Sequence, residues 1–192
     1  MTKATLNHFK SWWQREVIDK GRSLEGKKHL LAEIESDEDP SVYDITDEMI
    51  EFIREVVPVA EESGVRIGLH PDDPPVPELG GVGRVARSYA HCEQLIDLAD
   101  SECFGLCLCV GSWAEGGDQM GADVYEMIDL FGREGKLFKV HFRNVDRPLP
   151  TFQETLLDDG YIDMYEVMKA LSNVEFDGAI LPDHVPGGKA EA

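Results

Sequence analysis

Four strand-like segments in this chain each end on a residue that can bind a metal, and helix-like stretches separate them. The segments are residues 65–70, 104–109, 137–141 and 178–183, and their end residues are His70, Cys109, His141 and Asp183. Short apolar runs alternating with amphipathic stretches restrict the fold to parallel βα units. In such an array every strand points to one pole, where active sites are built. Four donors scattered along the sequence are therefore expected to meet in space. A His/Cys/His/Asp set can hold one divalent cation and leave a position open for substrate. The loops after the strands are long and those after the helices short, as expected when one pole carries function.

The rest of the chain supports that rhythm. Phe9, Trp12, Trp13 and Val17 give one apolar helical face near the N-terminus, and Leu30, Leu31 and Ile34 give a second. Thr46 is placed to cap a helix carrying Met49, Ile50, Ile53, Val56 and Val57, which Pro58 is expected to kink or interrupt and Gly64 to close. Ser88 is placed to cap a helix running to Leu98, and further helices are expected over 123–131 and 161–171. Three stretches read as loops: PDDPPVPELGGVGR after His70, the Gly-rich GSWAEGGDQMG, and a polar segment with PLPTFQE. The glycines do not open a helix directly behind a strand, so no Rossmann or P-loop fingerprint is present.

Composition limits the partners. The chain has 192 residues, with 38 acidic against 18 basic side chains and a formal net charge of −20. That balance argues against nucleic acid and against an anionic membrane. A halophilic source would account for it, because at 1 M salt the Debye length falls to about 3 Å; a merely solvated acidic surface would also account for it. Nothing resembles a signal peptide, and there is no apolar run of about 18 residues, so a soluble cytoplasmic protein is expected. Cys92, Cys103 and Cys107 read as small core residues, while Cys109 is nearest the strand end. No pair of CxxC motifs points to a zinc ribbon.

Around the donors, Asp72 and Asp73 follow His70 directly. They are candidates for orienting ligands or touching substrate, or for closing the loop through Asx-type bonds. Arg143 lies two residues beyond His141 and offers a planar fork that suits a carboxylate, either of a substrate or of the chain itself. His184 follows Asp183 and can serve as a general acid or base.

The strings HPDDPP at 70–75, GLCLCVGS at 105–112, VHFRNV at 140–145 and PDH at 182–184, in that order, resemble the mannonate dehydratase family. FQE at 152–154 and DMYEVMKAL at 163–171 support the match, which runs from about residue 45 to 184. The resemblance implies a (β/α)8 TIM barrel of the xylose isomerase-like type. It implies a divalent metal, manganese or alternatively iron, and dehydration of D-mannonate to 2-keto-3-deoxy-D-gluconate in glucuronate catabolism. Carried across by motif, His70, Cys109, His141 and Asp183 would ligate the metal, Arg143 would bind substrate and His184 would be the catalytic acid/base. A complete barrel takes about 250 residues. The chain is therefore expected to supply a partial barrel: an N-terminal helical segment over 1–44, then the C-terminal barrel half with the metal site over 45–192. A half barrel leaves sheet edges and an inner face open, so a second copy or a partner chain is expected to complete it. The family's catalytic Tyr beyond PDH has no counterpart in this sequence. A non-catalytic metal-binding fragment and a related sugar isomerase or epimerase therefore stand as alternatives.

Overall fold

A computed structural model of the chain describes residues 47–80 and 82–184. The expected helical segment over 1–44 and the Thr46 cap lie outside them. Helix α1 (Asp47–Ser63) leads to strand β1 (Ile67–Leu69), a small ribbon β2 (Glu78–Leu79) and β3 (Val82–Gly83), and α2 (Tyr89–Ala99). Strand β4 (Phe104–Cys109) runs straight into α3 (Val110–Gly116) and a 3-10 turn (Gly117–Met120). Then come α4 (Val124–Arg133), β5 (Leu137–Phe142), a second ribbon β6 (Asn144–Val145) and β7 (Glu154–Thr155), α5 (Met164–Asn173) and β8 (Ala179–Pro182).

The four long-range strands form one parallel sheet in the order β1-β4-β5-β8. This is the parallel α/β sheet that the alternation predicts, and the partial barrel wall that the resemblance implies. Helices cover one face. Ile53 and Val56 of α1, Leu95 of α2, Met127 and Ile128 of α4 and Val167 of α5 close over Leu106, Leu108 and Val140 of the sheet. Each of these is at most 2% exposed, and burying a side chain of this size is worth about 1.5–3 kcal/mol. Period-2 alternation sends Cys107 and Cys109 of β4 to the other face. A bulge between Leu106 and Cys107 gives β5 one extra residue, since Leu106 pairs with Leu137 but Cys107 with Lys139. Leu137 and Val140 can therefore both join the helix-side core. The Phe138 ring swings across Gly105, where any Cβ would collide with it.

Three local expectations change. Helix α1 does not stop at Pro58 but continues to Ser63. Pro58 and Arg54 are both exposed, so water can satisfy the carbonyl that loses its partner, while buried Val56, Val57 and Ala60 hold the helix down. The helix ends as expected at Gly64 (φ +61°), where Val65 N–H reaches the Ala60 carbonyl at 2.9 Å. The Gly-rich segment after Cys109 is not a loop. All seven residues of α3 are buried, so packing overrides poor propensity, and the Cys109 Sγ accepts the Ser112 N–H at 3.4 Å to cap it. The other two long loops each fold back into a two-residue antiparallel ribbon. The last helix starts at Met164, not at Tyr161. The Tyr161 N–H is taken by the Val145 carbonyl at 2.9 Å, and Asp163 caps the helix through the N–H groups of Tyr165 and Glu166.

Strand β8 is exposed at all four positions, Leu181 at 41%. Among the described residues, β1 and β8 are the outer strands of an open sheet.

Candidate metal centre

Three of the four strand-end donors converge. The ligating atoms of His70, Cys109 and His141 all lie within 4.8 Å of one another. The His70 Nε2 and His141 Nδ1 atoms are 3.2 Å apart. The other His70 nitrogen, Nδ1, faces the Pro71 carbonyl at 2.6 Å. A carbonyl can only accept, so Nδ1 carries the hydrogen and Nε2 faces the group. Asp183 stands beside the three rather than among them, with its Oδ2 at 3.5 Å from His141 Nδ1.

The electrostatics favour a cation. Burial pushes the Cys109 thiol up, but its hydrogen bond to His70, the charge of Arg143 and the Ser112 contact outweigh that and hold it below its ordinary value. Burial pushes His70 down, yet the hydrogen bond and charge of Cys109 leave it raised. Burial, together with the positive charge of Lys139, lowers His141. A thiol poised to ionise beside an imidazole kept neutral is a soft donor set.

A second layer is organised by Arg143, whose side chain is only 3% exposed. Its Nη1 donates to Glu115 Oε1 at 2.7 Å, and its Nη2 donates to Asp73 Oδ2 at 2.5 Å and to Ser112 Oγ at 3.3 Å. Glu154 and Asp183 complete a ring of four carboxylates, at 3.4 Å and 3.6 Å. Gly111 makes the passage, because any side chain there would strike the Arg143 side chain. Burial pushes the Glu115 carboxyl up to about 7 despite Arg143, and its Oε2 has no hydrogen-bond partner. Asp72 sits elsewhere: it accepts the Ala86 N–H at 2.8 Å and pairs with Arg84 at 3.4 Å, bracing the loop. His184 lies at the rim with its Nδ1 at 2.8 Å from Glu154 Oε1. That hydrogen bond, and the charge of Asp183, raise its pKa. Arg143, Asp183 and His184 border a cavity of about 270 Å³ with Thr155 and Leu157.

Glu115 and Glu154 are residues that sequence reasoning did not single out as site residues. For Glu154 the FQE string was a usable signal. Glu115 had a fainter one, as an acid among the small and apolar residues that directly follow β4. All four cysteines are free, and burial pushes Cys92 up to about 12 and Cys107 to about 11, as for inert core thiols. Among the described residues, no helix is long and apolar enough to cross a membrane.

A sequence model of the family described as D-mannonate dehydratase (UxuA) matches residues 18–190. The chain belongs to that family. It is 32% identical over 187 residues to mannonate dehydratase 2 of Halalkalibacterium halodurans, a match covering 90% of this chain and 53% of that protein. It is 38% identical over 136 residues to the mannonate dehydratase of Lachnoclostridium phytofermentans, covering 69% of this chain and 37% of that one. The crystal structure of mannonate dehydratase from Streptococcus suis serotype 2 superposes with a TM-score of 0.70 at 31% identity, over 87% of this chain and 47% of that one. A xylose isomerase domain protein from Alicyclobacillus acidocaldarius shares the fold at a TM-score of 0.58 and 18% identity. The chain thus spans about half, or less, of the relatives it matches.

The residues of this family member fit a divalent ion. Two nitrogens bound to one tetrahedral ion at about 2.0–2.1 Å stand about 3.3 Å apart. The two imidazole nitrogens are already 3.2 Å apart. Two imidazoles and a thiolate suit a transition metal better than magnesium or calcium.

Proposed function

We propose that this chain is a metal-dependent hydro-lyase that dehydrates D-mannonate to 2-keto-3-deoxy-D-gluconate, in glucuronate catabolism in the cytoplasm. The observation that carries the reading is the convergence of His70, Cys109 and His141 at the pole of a parallel sheet in a mannonate dehydratase family member. His70, Cys109 and His141 would hold the ion, with Asp183 as fourth ligand after a small movement; Mn²⁺ is the proposed metal and Fe²⁺ the alternative. A bound divalent ion would supply a Lewis acid for the charge that builds when the proton beside the substrate carboxylate leaves. His184, whose Nδ1 is held by Glu154, would take that proton at Nε2 and hand it to the departing hydroxyl, which leaves as water. Arg143 contributes a fixed positive charge on the same side, pre-oriented by Asp73 and Glu115.

Four free cysteines fit a reducing compartment. Among the described residues β1 and β8 have open edges, which fits completion of the barrel by a second copy or by another chain. One observation favours a non-catalytic metal-binding role instead: both terminal nitrogens of Arg143 are already engaged by carboxylates of the chain. The test is D-mannonate turnover with added Mn²⁺ in high-salt buffer, following the 2-keto acid, with particle size measured on the same sample. Product supports the lyase. A folded, metal-loaded sample that makes none supports the non-catalytic reading.

A further inference from the structure

The inner face of the sheet carries a cation that the mechanism above does not use. Lys139 lies between Cys107 of β4 and Ala179 of β8 in the parallel register. It lines a cavity of about 470 Å³ together with Arg66, His70 and His141. Among the described residues no Asp or Glu borders that cavity, in a chain where acidic residues outnumber basic ones 38 to 18. The contrast with neighbouring cavities is plain: Asp158 and Asp183 border the one beside His184, and Asp118, Asp123 and Glu126 the one beside Trp113.

Lys139 is half-buried. The other two described lysines each have a carboxylate partner, Lys136 with Glu102 and Lys169 with Glu166, whereas Lys139 has none among the described residues. The neighbouring cation, Arg66, stacks over the Phe138 ring at 4.9 Å. An ammonium on this face without a counter-charge attracts an incoming anion. Asp73 and Glu115 already take both terminal nitrogens of Arg143, which leaves only its Nε, 3.6 Å from Asp183, and denies an incoming carboxylate the two-pronged fork.

We propose that Lys139 is the counter-charge for the substrate carboxylate, so that the acid end of a sugar acid enters the cavity between Lys139 and the His70/His141 pair. The inference rests on the sugar-acid reading above and names the residue that makes the site select acids over neutral sugars. It leaves Arg143 as a fixed charge on the His184 side of the reacting carbons.

The test is calorimetric binding of D-mannonate and of the uncharged polyol D-mannitol to wild type, Lys139→Met and Lys139→Arg, each with and without Mn²⁺. Wild type is expected to prefer mannonate by at least about tenfold, which corresponds to about 1.4 kcal/mol. Lys139→Met should lose that preference while keeping its Mn²⁺ affinity, which shows that the site is folded, and Lys139→Arg should restore part of it. An unchanged preference in Lys139→Met, or no preference in wild type, overturns the proposal. So does a change in particle size of Lys139→Met with unaltered mannonate binding, which would assign the counter-charge to a polypeptide carboxylate. Lys139-dependent binding without dehydration would remove the lyase reading alone. Dehydration with an unaltered KM in Lys139→Met would remove the Lys139 proposal alone.

Discussion

Glu115 makes the stability of this protein depend on pH in a direction opposite to that of most paired carboxylates. Its side chain is 0% exposed, and burial moves its pKa from the ordinary 4.5 to about 7. Between those values the folded protein keeps a proton that the unfolded chain releases. Stability therefore falls as pH rises through this window and levels off above it. At about 1.36 kcal/mol per pKa unit, the fall is about 3 kcal/mol. Glu115→Gln removes the titration and keeps an oxygen for Arg143 Nη1. The unfolding free energy of the variant minus that of wild type should then rise by about 3 kcal/mol between about pH 4.5 and pH 7.5. Subtraction cancels the histidines and the remaining carboxylates. Urea unfolding followed by tryptophan fluorescence, at fixed salt and protein concentration, measures it. With a slope of about 2 kcal/mol per molar, the gap between midpoints should move by about 1.5 M. A gap that stays constant with pH would mean that Glu115 is ionised throughout, and the reasoning about its burial would be wrong.

Cys109→Ser should weaken Mn²⁺ binding by at least about tenfold, while Cys103→Ser leaves it unchanged; equal effects in a metal titration would remove Cys109 from the ligand set. His184→Asn should retain metal and lose turnover, and loss of metal instead would make His184 a ligand. Metal affinity should climb with pH through and somewhat above the ordinary histidine range, because a protonated imidazole cannot ligate and Cys109 raises the His70 pKa. A pH-independent affinity would contradict that. Asp123→Ala should cost about 1 kcal/mol, since it breaks the capping box in which Asp123 and Glu126 exchange hydrogen bonds at the start of α4; an unchanged midpoint in thermal or urea unfolding would refute it.

What sequence could show depended on how local the cause was. Strand β4 was legible because FGLCLC is a short, uniformly apolar run behind a turn. Helix α4 was legible because its apolar face repeats at helical spacing within a few residues. The convergence of His70, Cys109 and His141 was legible because parallel strands share a pole, so strand-end positions translate directly into space. Asp183 was legible as a neighbour of that group, and its place just outside it was not, since that depends on how β8 sits at an open edge. Helix α3 was illegible because its glycines oppose a helix and only burial under the loops enforces one. Continuation of α1 through Pro58 was missed for a related reason, as it depends on which side of the helix faces water. Arg143 could be read as a carboxylate binder. That its carboxylates would be Glu115 and Asp73 could not be read, because the pairing spans 28 residues in one case and 70 in the other. The Asn144 amide, which ties the carbonyls of Leu157 and Ile162 together, gave no sequence signal at all.

The central claim is that the strand ends of a partial parallel barrel build one His/Cys/His metal centre. X-ray absorption spectroscopy on the metal-loaded protein tests it most directly. The account predicts a single sulfur scatterer in the first coordination shell together with at least two imidazole nitrogens, and loss of that sulfur in Cys109→Ser. A shell of oxygens alone, or a sulfur that survives the Cys109 substitution, would contradict it.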